Sequence, residues 1–240
     1  MVRALESQGY QVQLPVRDAS HAYDFTKDEV DILARVKPFT MVDDAAIVDL
    51  CRATEYIERR SIPGAVVECG VYRGGGMMAV ALTLQRLRSR RELYLFDTFE
   101  GMSAPTDVDR SYKGEAAIDM AAETPDWAAA SLEAVTRNME STGYDRSLVH
   151  YIKGKVEDTL PGGAPAQIAL LRLDTDWYES TYHELVHLYP RLAAGGPLLI
   201  DDYGHWEGCR RAVDEYFEQH QVRAFLSRVT PSVRSTTKAG

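Results

Sequence analysis

The sequence predicts an α/β fold: a doubly wound, mostly parallel sheet of seven strands, with an antiparallel hairpin at its C-terminal edge and extra helices at its N-terminus. Three observations carry this. From residue 65 onward, short apolar runs alternate with longer amphipathic stretches, the rhythm of strand–helix–strand units. The runs AVVEC, IALLRLD and GPLLIDD are apolar almost throughout rather than at every second position, which suits strands covered on both faces. Acidic residues close several of these runs, at the end of the strand where open parallel sheets bind their ligands.

Taken in order, two helices come first, over Lys27–Val36 and Asp44–Arg60, and RRSIPG (Arg59–Gly64) stops the second with Pro and Gly punctuation. AVVEC (Ala65–Cys69) is a strand, GMMAVALTLQRL (Gly76–Leu87) a helix and ELYLFD (Glu92–Asp97) a strand. RLRSRR (Arg86–Arg91) reads as a solvated helix end whose cations offset the helix dipole. Residues 101–125 are polar, small and turn-rich, and a connection that long after a central strand reads as a lid. A helix is predicted near Trp127–Ser141, then strand VHYIKG (Val149–Gly154), strand IALLRLD (Ile168–Asp174) and helix ESTYHELVHLY (Glu179–Tyr189). GPLLIDD (Gly196–Asp202) is a strand and CRRAVDEYFEQH (Cys209–His220) a helix. VRAFLSRV (Val222–Val229) and SVRSTTK (Ser232–Lys238) form the closing hairpin around Thr230-Pro231. The organisation expected is a helical arm or lid over 1–60 and one ligand-binding domain over 61–240.

Composition narrows the function. With 240 residues, 45% hydrophobic and 26% charged, the chain has ordinary globular usage and can build a large core. A net charge of −9 disfavours nucleic acid or an anionic membrane surface as partner, since both need a basic patch. Cys51, Cys69 and Cys209 lie far apart with no C-x-x-C, so no disulfide framework is expected. Neither a membrane span nor a basic-then-apolar leader is evident. A reduced, cytoplasmic setting is the expectation.

Asp97, Asp174 and the pair Asp201-Asp202 end three different strands and so share one rim of the sheet. No run of Lys or Arg neighbours them, and gathered acids repel unless a cation sits among them. Helix capping accounts for one or two of these acids but poorly for all. The candidate ligands are all oxygens, which implies a hard divalent cation, most simply Mg²⁺, rather than zinc.

VVECGVYRGGG (Val66–Gly76) is a strand, a tight turn and a helix start. It matches neither G-x-G-x-x-G nor a Walker loop. Gly70 allows close backbone approach to a ligand, and Gly74–Gly76 free a helix N-terminus suited to a carboxylate. Glu68 places negative charge where a dinucleotide's pyrophosphate would lie, favouring a ligand with a cationic centre. Asp97 lies 21 residues after Gly76, the usual interval to a ribose-binding acid. S-adenosylmethionine, an adenosine with a positively charged amino-acid tail, satisfies both acids.

Five stretches together resemble the macrocin O-methyltransferase family, which methylates sugar hydroxyls on macrolide and related antibiotics: FTMVDDAAIVDL, VVECGVYRGGG, LYLFDTFEGM, LLRLDTDWYEST and RLAAGGPLLIDDYGHWEGCRRAVDEY. They run in family order from about Phe39 to Tyr216. The resemblance implies a Rossmann-like class I methyltransferase fold. It further implies that Glu68, Gly70, Val71 and Tyr72 line the S-adenosylmethionine pocket, that Thr40 and Met41 cover its methionine end, and that Asp97 holds the ribose. Gly154 and Val156, within GKVED, are similar to the adenine-edge segment of catechol O-methyltransferase. Asp174, Asp201 and Asp202 would hold Mg²⁺, with Asp174 also bordering the cofactor, and Asp176 is the candidate general base. The expected acceptor is a small glycosylated natural product and the expected assembly a homo-oligomer. Trp177, Tyr178, Tyr203, His205 and Trp206 offer aromatic faces to a sugar or an aglycone, or else serve the core. Two alternatives stand beside this reading: a catechol-type enzyme acting on a phenol, and a cofactor-binding protein without turnover, which the acidic rim argues against.

One motif points elsewhere. His183-Glu184-Leu185-Val186-His187 matches the H-E-x-x-H zinc signature. On a helical wheel, however, Tyr182, Leu185, Val186 and Tyr189 form one apolar stripe. His183, Glu184 and His187 fall about 140° away, toward water. The expectation is a solvated helix face rather than a metallopeptidase centre.

Overall fold

The computed structural model of the chain describes residues 24–124 and 126–240; the segment before residue 24, read from sequence as a soluble terminus or helical arm, and Pro125 lie outside the described residues. Helices α1 (Lys27–Val36) and α2 (Asp44–Arg59) precede strand β1 (Ala65–Cys69). There follow α3 (Gly75–Arg86), β2 (Leu93–Asp97), α4 (Ala117–Glu123), α5 (Leu132–Glu140) and β3 (Val149–Lys153). After these come α6 (Val156–Thr159), β4 (Ile168–Leu173), α7 (Tyr178–Leu188) and β5 (Pro197–Ile200). The chain closes with α8 (Glu207–Gln219), β6 (Ser227–Arg228) and β7 (Arg234–Thr237).

The sheet has seven strands in the order β3-β2-β1-β4-β5-β7-β6. β1 to β5 run parallel, and β7 lies antiparallel between β5 and β6. From β1 the chain winds outward through β2 and β3, then returns to β4 on the other side of β1. The carboxyl ends of β1 and β4 are therefore the point where the winding reverses, the place such sheets open a ligand crevice.

Strand alternation divides the core into two layers. Val66, Leu93, Leu95, Leu170 and Leu199 face α1, α2, α3 and α5 through Leu33, Val36, Ile47, Leu50, Val80, Leu84, Val135 and Met139. Val67, Phe96, Leu171, Leu198 and Ile200 face α7 and α8 through Leu185, Leu188, Val213 and Tyr216. α1 and α2 thus share the core of the rest of the domain. Thr26 starts α1 with a capping box completed by Glu29, and Arg52 of α2 grips Glu29 and Asp24.

Three sequence expectations change. The stretch 101–125 is not irregular throughout: Ala117–Glu123 forms a helix without a side-chain cap. The helix expected from Trp127 begins only at Leu132, where Ser131 accepts from the Ala134 amide. The strand expected over Val222–Val229 shrinks to Ser227–Arg228, because β7 takes the place beside β5 and leaves this segment at the outer edge.

Candidate active site

The site grows out of the β1–β4 contact. Gly70, at φ +78°, turns the chain immediately after β1, and a Cβ there would lie 1.9 Å from the carbonyl oxygen of Asp174. Its close approach is therefore to the loop after β4 rather than directly to a ligand, and it presses the two loops together. A Cβ on Gly76 would meet Glu68 Oε1 at 2.3 Å, so this glycine lets α3 begin directly over the Glu68 carboxylate.

Two hollows flank this contact and share Asp174. One, of about 420 Å³, is lined by Gly70, Phe96, Asp97, Met102, Gly154 and Val156 among others. The second, of about 770 Å³, is lined by Thr40, Met41, Glu68, Val71, Tyr72 and Gly76 on one side. Arg172, Asp174, Asp176, Asp201 and Asp202 line its other side, and Ser232 and Val233 close it from the edge hairpin. All the residues singled out in the sequence for cofactor, metal and base thus border two adjoining cavities at one end of the sheet.

The acids are not without a cation, as the sequence had suggested. Arg172, next to last in the otherwise apolar β4, stands beside Glu68 in the strand register. Its Nη1 lies 2.6 Å from Glu68 Oε1 and 2.8 Å from Asp174 Oδ2, and its Nη2 donates to Asp201 Oδ1 at 2.7 Å. The guanidinium is buried, and a buried charge must be paired. Glu68 is only 2% exposed and its Oε2 has no partner. Burial pushes its carboxyl up to about 7, against the pull of Arg172. An arginine inside an apolar strand was the available sequence signal. Its partners, 104 residues away in the case of Glu68, were not.

The tightest group of potential ligand atoms differs from the expected triad. Oxygens of Asp174, Asp176 and Asp202 lie within 4.8 Å of one another, while Asp201 is engaged by Arg172. Asp176 takes a left-handed conformation at φ 68°, one that Asp tolerates better than most residues. Its Oδ2 accepts from Trp206 Nε1 at 2.9 Å. Burial, and next the charge of Asp174, raise the Asp176 carboxyl to about 8. Asp174 and Asp202 are also raised well above the carboxylate range, in both cases chiefly by burial. Asp202 Oδ2 is buried with no partner. Three oxygen donors this close, one of them orphaned, fit a hard divalent cation.

Asp97 is heavily committed to the fold. Its Oδ2 accepts from the amides of Val71 and Tyr72, and its Oδ1 from that of Phe99, so it ties the glycine turn to the end of β2. Burial raises its pKa in spite of these bonds. Thr40 Oγ1 accepts from the Val42 amide, while Met41, 65% exposed, stands at the mouth of the larger hollow.

The aromatic residues divide between core and surface. Trp177 and Trp206 are buried and pack on each other and on Trp127, so they belong to the core rather than to a sugar platform. Tyr203 is partly covered, with Arg210 and Arg234 over its ring. Tyr112, 59% exposed, meets His205 edge-on near the acidic rim. The stretch 101–124 is tied down firmly. Trp177 Nε1 donates to Ser103 O, the Tyr112 amide to His205 O and the Glu207 amide to Arg110 O. Asp109, only 1% exposed, accepts from the Thr106 amide and hydroxyl and from the Tyr178 amide at the start of α7. Sequence reasoning missed Asp109, which sat among several other acids in a polar run.

The H-E-x-x-H helix behaves differently from the wheel. His183 and His187 are half-buried with rings 4.4 Å apart, but Glu184 is fully buried, not solvated. α7 packs between α6, α8 and β4, so it is covered on more than one side. Glu184 Oε1 accepts from Thr175 at 2.9 Å, and burial raises its carboxyl well above the usual range. Among the described residues, the acidic rim is the cluster whose donors converge, and these histidines are not part of it. The three cysteines are free and buried, and no described helix is long and apolar enough to cross a membrane.

Comparison with known proteins places the chain in a family. The sequence model of the family described as Macrocin-O-methyltransferase (TylF) matches residues 11–233. Mycinamicin III 3''-O-methyltransferase of Micromonospora griseorubida is 34% identical over 184 residues, 76% of this chain and 72% of that protein. The 8-demethyl-8-(2,3-dimethoxy-alpha-L-rhamnosyl)-tetracenomycin-C 4'-O-methyltransferase of Streptomyces olivaceus is 33% identical over 191 residues, 79% of this chain and 72% of that protein. The solved structure of the O-methyltransferase NovP matches with a TM-score of 0.75 at 29% identity, covering 84% of this chain and 83% of that one.

Proposed function

We propose that this chain, which belongs to the macrocin-O-methyltransferase family of S-adenosylmethionine-dependent O-methyltransferases, moves the methyl group to a sugar hydroxyl of a glycosylated natural product, with Mg²⁺ required. The observation that carries the reading is the pair of adjoining hollows that share Asp174, one bounded by the glycine turn and one by carboxylates. The printed names of the relatives, a 3''-O-methyltransferase and an enzyme of a rhamnosylated tetracenomycin, support a sugar acceptor in antibiotic biosynthesis.

In this reading the smaller hollow takes the adenosine, with Gly154 and Val156 at its adenine edge and Asp97 beside the ribose. Glu68 receives the positively charged methionine end, under Thr40 and Met41. Asp174 and Asp202 would hold the ion together with the oxygen of Asp201 that Arg172 leaves free. Asp176, whose carboxylate lies within 4.8 Å of those of Asp174 and Asp202, would act as base rather than as a ligand. A divalent ion held there would supply Lewis acidity, lowering the pKa of the acceptor hydroxyl. Asp176 takes the hydroxyl proton as the oxygen–methyl bond forms and the methyl–sulfur bond breaks. Trp206 fixes the direction of that carboxylate through its Nε1. Holding the acceptor and cofactor in line supplies roughly 7–11 kcal/mol of the barrier.

The test is methyl transfer from labelled S-adenosylmethionine to two panels, glycosylated natural products and aglycone phenols, with Mg²⁺ and with EDTA. Transfer to the glycosylated panel that EDTA abolishes supports the proposal. Transfer confined to phenols shifts it to a catechol-type enzyme, and full activity in EDTA removes the metal. A homo-oligomer is part of the proposal; Phe225, 85% exposed beside the edge strands, supports it, and light scattering in solution tests it.

A further inference from the structure

From this geometry we infer that Arg172 is a positioning residue for both ligands of the site: its guanidinium binds one oxygen each of Glu68, Asp174 and Asp201, and so aims their remaining oxygens at the cationic cofactor and the divalent ion. The inference rests on the function proposed above.

The three ion pairs are close, at 2.6, 2.8 and 2.7 Å. Arg172 takes only one oxygen of each carboxylate, and the second oxygen of Glu68 is buried and unpartnered. A buried carboxylate oxygen left without a donor is costly unless a ligand completes it. Strand register explains how one side chain reaches all three. Glu68 and Arg172 are directly paired neighbours on β1 and β4, and Arg172 pairs with Leu199 on β5. Side chains alternate along a strand, so Asp201, two residues past Leu199, emerges on the same face as Arg172. Asp174 does so two residues past Arg172 itself. The planar, forked guanidinium can hold several carboxylates in fixed directions, which an ammonium, as a point charge, cannot. The same residue forms a floor common to the cofactor end of the large hollow, at Glu68, and the metal end, at Asp174 and Asp201.

The test uses the full chain with Arg172→Lys, which keeps the charge and loses the fork. S-adenosylhomocysteine affinity is measured by calorimetry in EDTA, Mn²⁺ affinity by paramagnetic titration, and the melting temperature alongside. The expected result is a wild-type-like melt with both affinities weakened by about tenfold or more. Adding Glu68→Gln to this variant should weaken S-adenosylhomocysteine binding less than the same change does in wild type, because both act through one contact. Affinities within twofold of wild type, or a lower melting temperature with unchanged affinities, would overturn the inference. Should Arg172→Lys not fold, Arg172→Met with Glu68→Gln leaves the net charge of the cluster unchanged, and its Mn²⁺ affinity decides: a drop of about tenfold upholds the positioning role and an unchanged value refutes it. Wild-type chain that binds neither probe would defeat the proposed function, and this inference with it.

Discussion

Asp176 concentrates the chemistry of the site into one side chain. It occupies a left-handed backbone position, its carboxylate is aimed by Trp206, and it lies within reach of Asp174 and Asp202. Asp176→Asn keeps the shape and removes the base. It should lower kcat by about 10²–10⁴-fold while leaving S-adenosylhomocysteine affinity within about twofold of wild type. A variant with normal kcat would reassign the proton transfer. Glu184 yields a separate prediction, for stability. Burial raises its folded pKa well above 4.5, so the folded state keeps a proton that the unfolded chain releases. Its stabilisation is complete below the unfolded value and is lost as pH rises toward the raised folded value. Glu184→Gln should therefore melt close to wild type near pH 4 and progressively above it by pH 8. Parallel melting curves across that range would show that Glu184 is ionised in the fold. Neither residue's environment was visible in the sequence. The helical wheel puts Glu184 in water because it assumes one buried face, whereas the part-buried Thr175 contact comes from a loop outside the helix.

At the scale of elements, legibility followed the strength of local signals. α1 matches its sequence-based span because Thr26 and Glu29 form a capping box, and β1 because an apolar pentapeptide is closed by Gly70. α4 was missed because AIDMAAE has no side-chain cap and buries only Ala117. The edge hairpin was legible as a hairpin but not in its extent, since a strand at the sheet margin lacks an apolar face to fix its register. The stretch 101–124 is held by contacts distant in sequence, above all Asp109 reaching the N-terminus of α7. Asp109→Ala leaves the Tyr178 amide and the Thr106 donors without their acceptor, and should cost about 1–3 kcal/mol in urea denaturation. It should also raise the acceptor KM more than the cofactor KM, because the stretch also carries Tyr112 to the acidic rim. Equal effects on both would mean the staple serves the fold alone.

For the whole molecule, the alternation of strands and helices gave the parallel sheet and the antiparallel edge correctly, because each is encoded locally and repeatedly. The network inside the site was not legible, because Arg172 gathers carboxylates from three strands that are adjacent only after folding. This also explains why the rim looked unbalanced in charge when read along the chain. The histidine pair on α7 is not among the converging donors, so His183→Ala with His187→Ala should retain at least about half of wild-type activity. Loss of activity there, with the fold intact, would return attention to zinc. The central claim is that the acids at the carboxyl ends of β4 and β5 hold one divalent ion beside the bound cofactor. Anomalous diffraction from a crystal grown with Mn²⁺ and S-adenosylhomocysteine tests it most directly. A single peak is expected at about 2.1 Å from oxygens of Asp174, Asp201 and Asp202. A map without a peak there, or with its peak at His183 and His187, would contradict it.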